Sequence, residues 1–192
     1  MGKGSLTKIH VVETALNEAV SSGLGGLSFG TLANATGLSK SGLFAHFSSK
    51  EDLQKAVVEK AIALFIANVV ALARRQKAGR DQLTALYSNH LDWIAGKRGL
   101  PGCPFVIFVQ EFDDHNGDVR NALIMSQKLW RRALASAASV AQQNQQINRQ
   151  AHPGQIAFEL VGAALAFQVS HNLLRDRNTR DQALVAFNQI IN

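Results

Sequence analysis

From Ser39 to Lys50 the chain reads Ser-Lys-Ser-Gly-Leu-Phe-Ala-His-Phe-Ser-Ser-Lys, which sets Lys40, His46 and Lys50 among small hydroxyls and a glycine. Cationic side chains reach phosphates, and short polar ones at the start of a helix reach base edges, so this set suits non-covalent recognition of a nucleic acid. A second set, Glu111, Asp113, Asp114 and His115, mixes carboxylates with an imidazole, as some metal sites do. The same residues equally suit a solvated turn, or a cap for a helix starting at Asp118. A third candidate is Cys103, near Lys97, Arg98 and a helix start at Pro104, surroundings that lower a thiol pKa. A lone cysteine beside proline in a loop is otherwise inert. The six histidines (10, 46, 90, 115, 152 and 171) are scattered without ligand spacing. Phosphate loop, nucleophile elbow and paired-histidine zinc motif are all missing. We therefore expect no catalytic residues, no metal and no cofactor. An enzyme would need distant groups, such as His90 and Glu111, to converge.

The elements that position the first set begin at Ser28. Residues Ser28 to Phe47 form two short apolar-periodic segments joined at Thr36-Gly37-Leu38-Ser39. Phe29, Leu32 and Ala33 share one face of the first. Gly37 can adopt the positive φ of a sharp helix-ending turn. Leu38 should plug inward and Ser39 should cap the next helix. Lys40, Ser41 and Gly42 lead that helix, with Leu43, Phe44 and Phe47 behind them, the division a recognition helix needs. An ordinary helical hairpin is the alternative for this pattern alone. Upstream, Ile9, Val12, Ala15, Leu16, Ala19 and Val20 recur at helical spacing and stop at Gly23. Downstream, Ser49 is placed as an N-cap with Asp52 three residues on, an approximate capping box.

Helix, Gly, helix, Gly-Leu-Ser, short helix, then His-Phe-x-x-Lys-Glu-x-Leu: over about the first fifty-five residues the chain resembles the TetR family of bacterial transcriptional regulators. The resemblance implies that the second helix braces a recognition helix beginning at Ser39, and that His46 and Lys50 touch the phosphate backbone. The expected DNA-contacting set is Thr31, Ser39, Lys40, Ser41, Gly42, Phe44, His46 and Lys50. Two positions depart from the family. Phe44 stands where tyrosine is common, which removes a phenol-to-phosphate hydrogen bond, and Ala45 is shorter than the usual polar residue.

Charge says less than motif. The net charge is +6, but residues 1–53 carry four basic and four acidic side chains. Lys3, Lys8, Lys40 and Lys50 must therefore be segregated toward DNA, with Glu13 and Glu18 turned away. At 192 residues and 46% hydrophobic, the chain has room for one small and one larger domain. A single cysteine and the lack of a signal-peptide pattern fit the cytoplasm. The longest apolar run, Ile156 to Leu174, holds Glu159, Gln168 and His171, which favours a buried helix over a membrane span.

The remainder reads as helix throughout: Glu51 to about Gln76, Asp81 to Gly96, Pro104 to Phe112, Asp118 to about Gln143, Pro153 to about Leu174, and Thr179 to the C-terminus. The expected fold is all-α, about nine helices, with a three-helix helix-turn-helix domain at 1–52 and a larger helical ligand-binding and dimerisation domain at 53–192. Phe65, Tyr87, Trp93, Phe105, Phe108, Phe112 and Trp130 either line an apolar small-molecule site or simply pack a core. The TetR resemblance implies the former, with Phe65, Tyr87, Phe105, Phe108, Phe112 and Trp130 as the ligand-contacting set. It also implies a homodimer formed through the last two helices, around residues such as Phe167 and Phe187. The function expected is a ligand-responsive DNA-binding repressor, with operator DNA and a hydrophobic or amphipathic effector as partners. The alternatives are a constitutive or architectural DNA-binding protein, and an enzyme or small-molecule carrier.

Overall fold

The computed structural model describes residues 3–192, with the side chain of Lys3 and its expected DNA-facing position outside the described residues. Nine helices and no strand occur among them. These are α1 (Lys3–Ser22), α2 (Phe29–Thr36), α3 (Lys40–Phe44), α4 (Lys50–Ala73), α5 (Arg80–Ile94), α6 (Pro104–Phe112), α7 (Asp118–Gln143), α8 (Pro153–Leu173) and α9 (Thr179–Ile191). The all-α expectation and its helix boundaries hold to within a few residues.

Two compact units are present: residues 1–64 with 100–126, and residues 65–99 with 127–192. In the first, Leu16, Leu24, Leu27, Leu32, Leu43, Phe47 and Leu53 are almost fully buried. The stripe that α1 buries runs through Val11, Val12, Ala15, Leu16 and Ala19, whereas Ile9 is exposed. Leu38 is only half-buried.

In the second unit α4 and α8 each contain a widened π turn, at Ile66–Val70 and Val169–Leu173. Such turns leave carbonyls for other partners. The Val69 carbonyl accepts from the Asn89 side-chain amide of α5 at 3.1 Å. Asn89 Oδ1 in turn accepts from Arg98 at 2.8 Å. By length and composition α4 and α8 could each cross a membrane. Both instead carry a buried face, Leu53, Val57, Val58 and Ala61 in α4, and Ile156, Ala157, Leu160, Ala164 and Phe167 in α8.

Candidate functional site

The turn between α2 and α3 is built as its residue types require. Gly37 ends α2 in the left-handed region at φ 68°, ψ 15°. Ser39, in extended geometry, caps α3 by accepting the Gly42 N–H at 3.0 Å. Ser28 does the same for α2 with the Thr31 N–H at 3.1 Å, and the Thr31 hydroxyl donates back to the Ser28 carbonyl. Each cap satisfies a donor that a helix start leaves free. Leu43 is fully buried beneath α3, while Ser39, Lys40, Ser41 and Phe44 are exposed and Gly42 is half-buried. The short helix is thus held by its back and offers its N-terminal residues to solvent. Phe44 is 54% exposed, and its ring lies 4.4 Å from that of Phe29, an apolar shelf where the family more often has a phenol.

The basic residues are disposed differently from one another. The end of the Lys40 side chain lies beside Gly30, at the start of α2. His46 is half-buried beside Gly4 of α1. Lys8 places its ammonium 5.1 Å over the Phe47 ring. Lys50 donates to the Gly25 carbonyl at 2.6 Å and so braces the α1–α2 loop. That bracing contact was not visible in sequence. At the head of α4, Ser49 caps the Asp52 N–H at 3.1 Å, and Asp52 reaches back to the Ser48 N–H at 3.0 Å. This is the expected capping box, displaced by one residue.

One member of the acidic set around α6 has a structural partner. Glu111 accepts the Leu24 N–H at 2.7 Å, and its carboxylate fills the space where a Cβ at Gly23 would stand. Gly23 lies at φ 77°, so only glycine serves both demands. The Leu24 carbonyl accepts from Gln54 at 2.9 Å. Three side chains from α4 and α6 therefore pin residues 24 and 25. His115 pairs with its neighbour Asp114 at 3.1 Å and packs its ring 5.0 Å from that of Phe112, in an exposed turn. Among the described residues no group of three or more potential ligands is spaced to hold a metal. Cys103 is buried at the N-cap of α6.

The aromatic residues divide between the two units. Phe105, Phe108 and Phe112 belong to the first. In the second, Phe65 meets Trp130 edge-on at 5.1 Å, and His90 and Trp93 each at 5.6 Å. His90 and Trp130 are themselves 5.0 Å apart. Tyr87 instead stacks on Phe187 of α9 at 5.2 Å. Desolvation within this cluster pushes the His90 imidazole down to about pKa 4, so it is neutral at physiological pH. The Tyr87 phenol is pushed up to about 12 by burial. The Tyr87 hydroxyl and the indole N–H groups of Trp93 and Trp130 are buried without a hydrogen-bond partner. Leaving a buried donor unpaired is costly. His90 was not among the expected ligand residues. In sequence it reads as a histidine inside the helical domain, where a satisfied core histidine is the commoner outcome.

Comparison with known proteins agrees with this anatomy. Residues 11–57 match the family described as "Bacterial regulatory proteins, tetR family". Residues 79–187 match "Tetracyclin repressor-like, C-terminal domain". Among proteins of curated function, none matches the sequence significantly. A TetR transcriptional regulator from Chloroflexus aurantiacus J-10-FL superposes with a TM-score of 0.86 at 22% identity, covering 99% of this chain and 94% of that one. Reduced NemR from E. coli gives 0.83 at 22% identity, with 97% of both chains covered. AibR in complex with isovaleryl coenzyme A and operator DNA gives 0.75 at 24% identity, with 96% of both covered.

Proposed function

We propose, for a chain that belongs to the TetR family of bacterial transcriptional regulators, that it is a ligand-responsive repressor acting as a cytoplasmic homodimer. The observation that carries the DNA-binding part is the Ser39-capped α3, with Leu43 buried behind it and Lys40 and Ser41 exposed at its start. Lys40, Ser41 and Gly42 enter the major groove and read bases. Thr31, Ser39, Phe44, His46 and Lys50 meet the backbone around it. Lys50 keeps two ammonium protons for a phosphate while donating one to Gly25. Functionally the reading head ends near residue 52, and the remainder senses and dimerises.

The effector reading rests on the cluster of Phe65, His90, Trp93 and Trp130. An aromatic cluster whose Trp93 and Trp130 indole N–H groups are unpaired favours a hydrophobic or amphipathic molecule carrying hydrogen-bond acceptors. AibR, bound to both an acyl-coenzyme A and DNA, offers a precedent of the same fold for coupling two such partners. A ligand shifts operator affinity only by preferring one of two conformations.

Dimerisation is assigned to a stripe different from the one anticipated. Phe167 and Phe187 are 2% and 3% exposed and belong to the second unit's own core. Phe158, Leu165, Val169 and Leu173 are exposed on α8 at i, i+7, i+11 and i+15. Gly162 lies on the same face with nothing within 4 Å of an added Cβ. That face suits an isologous contact with a second copy, bringing two heads to half-sites about 34–36 Å apart or a multiple of it. Footprinting on DNA flanking the gene, with and without a small-molecule extract of the host, tests the whole reading. Protection of a palindrome that the extract relieves supports it. Sequence-independent binding would indicate an architectural protein instead.

A further inference from the structure

A cavity of about 350 Å³ opens in the second unit where the end of α5, the end of α8 and the α8–α9 loop meet. Its walls carry Lys97, Arg175, Arg177 and Arg180, with Phe167 and His171 forming an aromatic side. Those two rings lie 5.1 Å apart and nearly parallel, at 9°. The charge around the cavity is unbalanced. Asp92 is shared by Arg98 at 3.2 Å and Arg180 at 2.8 Å, and Arg180 also donates to the Ser88 hydroxyl at 3.2 Å. Asp176 has its carboxylate turned to the Asn178 N–H at 2.9 Å. The charged ends of Lys97, Arg175 and Arg177 have no hydrogen bond or ion pair among the described residues.

The loop that carries two of these arginines is fixed in place. The Asp176 N–H donates to the Ser170 carbonyl at 3.0 Å, and the Thr179 hydroxyl donates to the Asp176 carbonyl at 2.8 Å. Arg175 itself adopts the left-handed conformation at φ 57°. Solvated loop cations ordinarily spread apart to lower their repulsion. Here three unneutralised ones border a single concave space beside an aromatic wall, and an anion there would relieve the repulsion.

We propose that this cavity binds a small organic anion, a carboxylate or phosphate monoester whose flat apolar body rests against His171, with Phe167 stacked behind that ring. The volume admits one small metabolite. Guanidinium groups recognise either head group through paired N–H donors, so the chemistry shared by both is what the site selects. This site is separate from the Phe65–Trp130 cluster, and its ligand need not be the molecule that cluster takes.

Calorimetric titration of the full-length protein with phenyl phosphate, benzoate, inorganic phosphate and benzyl alcohol tests the assignment. Phenyl phosphate, benzoate or both should bind, with the tighter one identifying the head group. Inorganic phosphate should bind at least tenfold more weakly, and benzyl alcohol not measurably. Raising NaCl from 50 to 500 mM should weaken the organic anion several-fold. The double variant Arg175→Gln/Arg177→Gln, whose wild-type side chains are exposed and make no hydrogen bond or ion pair among the described residues, should lose at least tenfold in affinity. It should keep the wild-type melting temperature and operator binding, so the result stands apart from the repressor reading. Absence of binding by both organic anions at millimolar concentration would overturn the proposal. So would equal binding by inorganic phosphate, or undiminished affinity in the double variant. A double variant that changes its sedimentation but not its anion affinity would assign the loop to subunit contact, and would overturn it too.

Discussion

Glu111 should act as a latch on the loop that leads into α2. Its carboxylate accepts the N–H of Leu24, a residue with no solvent exposure, at 2.7 Å. Glu111→Ala removes the acceptor and leaves that donor buried and unpaired. Hydrogen bonds to charged groups contribute about 1.5–3 kcal/mol, so a loss of roughly 2 kcal/mol is expected. For a chain of this size that corresponds to a fall in melting temperature of about 4–8 °C. Glu111→Gln keeps an acceptor without the charge and should lose about half as much. Gly23→Ala should also destabilise, because a Cβ there meets the Glu111 carboxylate and φ is 77°. Calorimetric melting gives the magnitude, and amide exchange at Leu24 gives the location, since its protection should fall more than that of Leu16 in α1. A Glu111→Ala protein that melts within about 1 °C of wild type, with Leu24 still protected, would refute the latch.

Stability should fall in mild acid because of His90. An ordinary histidine titrates near 6.5 and His90 near 4, so the unfolded chain binds the extra proton between those values. The stability present above about pH 6.5 is progressively lost toward pH 4, about 2 kcal/mol of it by pH 5. Urea unfolding of His90→Gln should show a correspondingly flatter profile over that range, and an unchanged profile would refute the desolvated imidazole. Lys40→Ala should alter which operator bases matter, read by binding to a library of single-base variants. Uniform weakening across that library would make Lys40 a phosphate contact instead. Leu165→Glu should shift sedimentation toward monomer while preserving the melting temperature, whereas Phe167→Ala should cost about 3–5 kcal/mol of folding stability through the cavity it leaves. The reverse pattern would return the interface to Phe167.

Local chemistry was legible in the sequence wherever it depends on neighbours in the chain. Gly37 had to turn, Ser39 had to cap, and Pro104, Asp118 and Pro153 had to start helices, because backbone sterics and orphaned helix donors act over three or four residues. The helix count and the reading head followed from those signals and from apolar spacing. Periodicity shows that a helix has an apolar face, but not what will cover it. The apolar spacing of α8 places Phe167 on a candidate outward stripe, whereas the folded unit buries that residue and leaves Phe158, Leu165 and Val169 exposed. Glu111 looked like part of an acidic cluster until folding brought it to Leu24, 87 residues away. His90 became a desolvated imidazole only when Phe65 and Trp130 closed on it. Lys97 and Arg177 came to border one cavity through the packing of α5 against the α8–α9 loop. These arrangements depend on long-range contacts, whose partners are chosen by the summed packing of many side chains, and no short stretch of sequence encodes that sum.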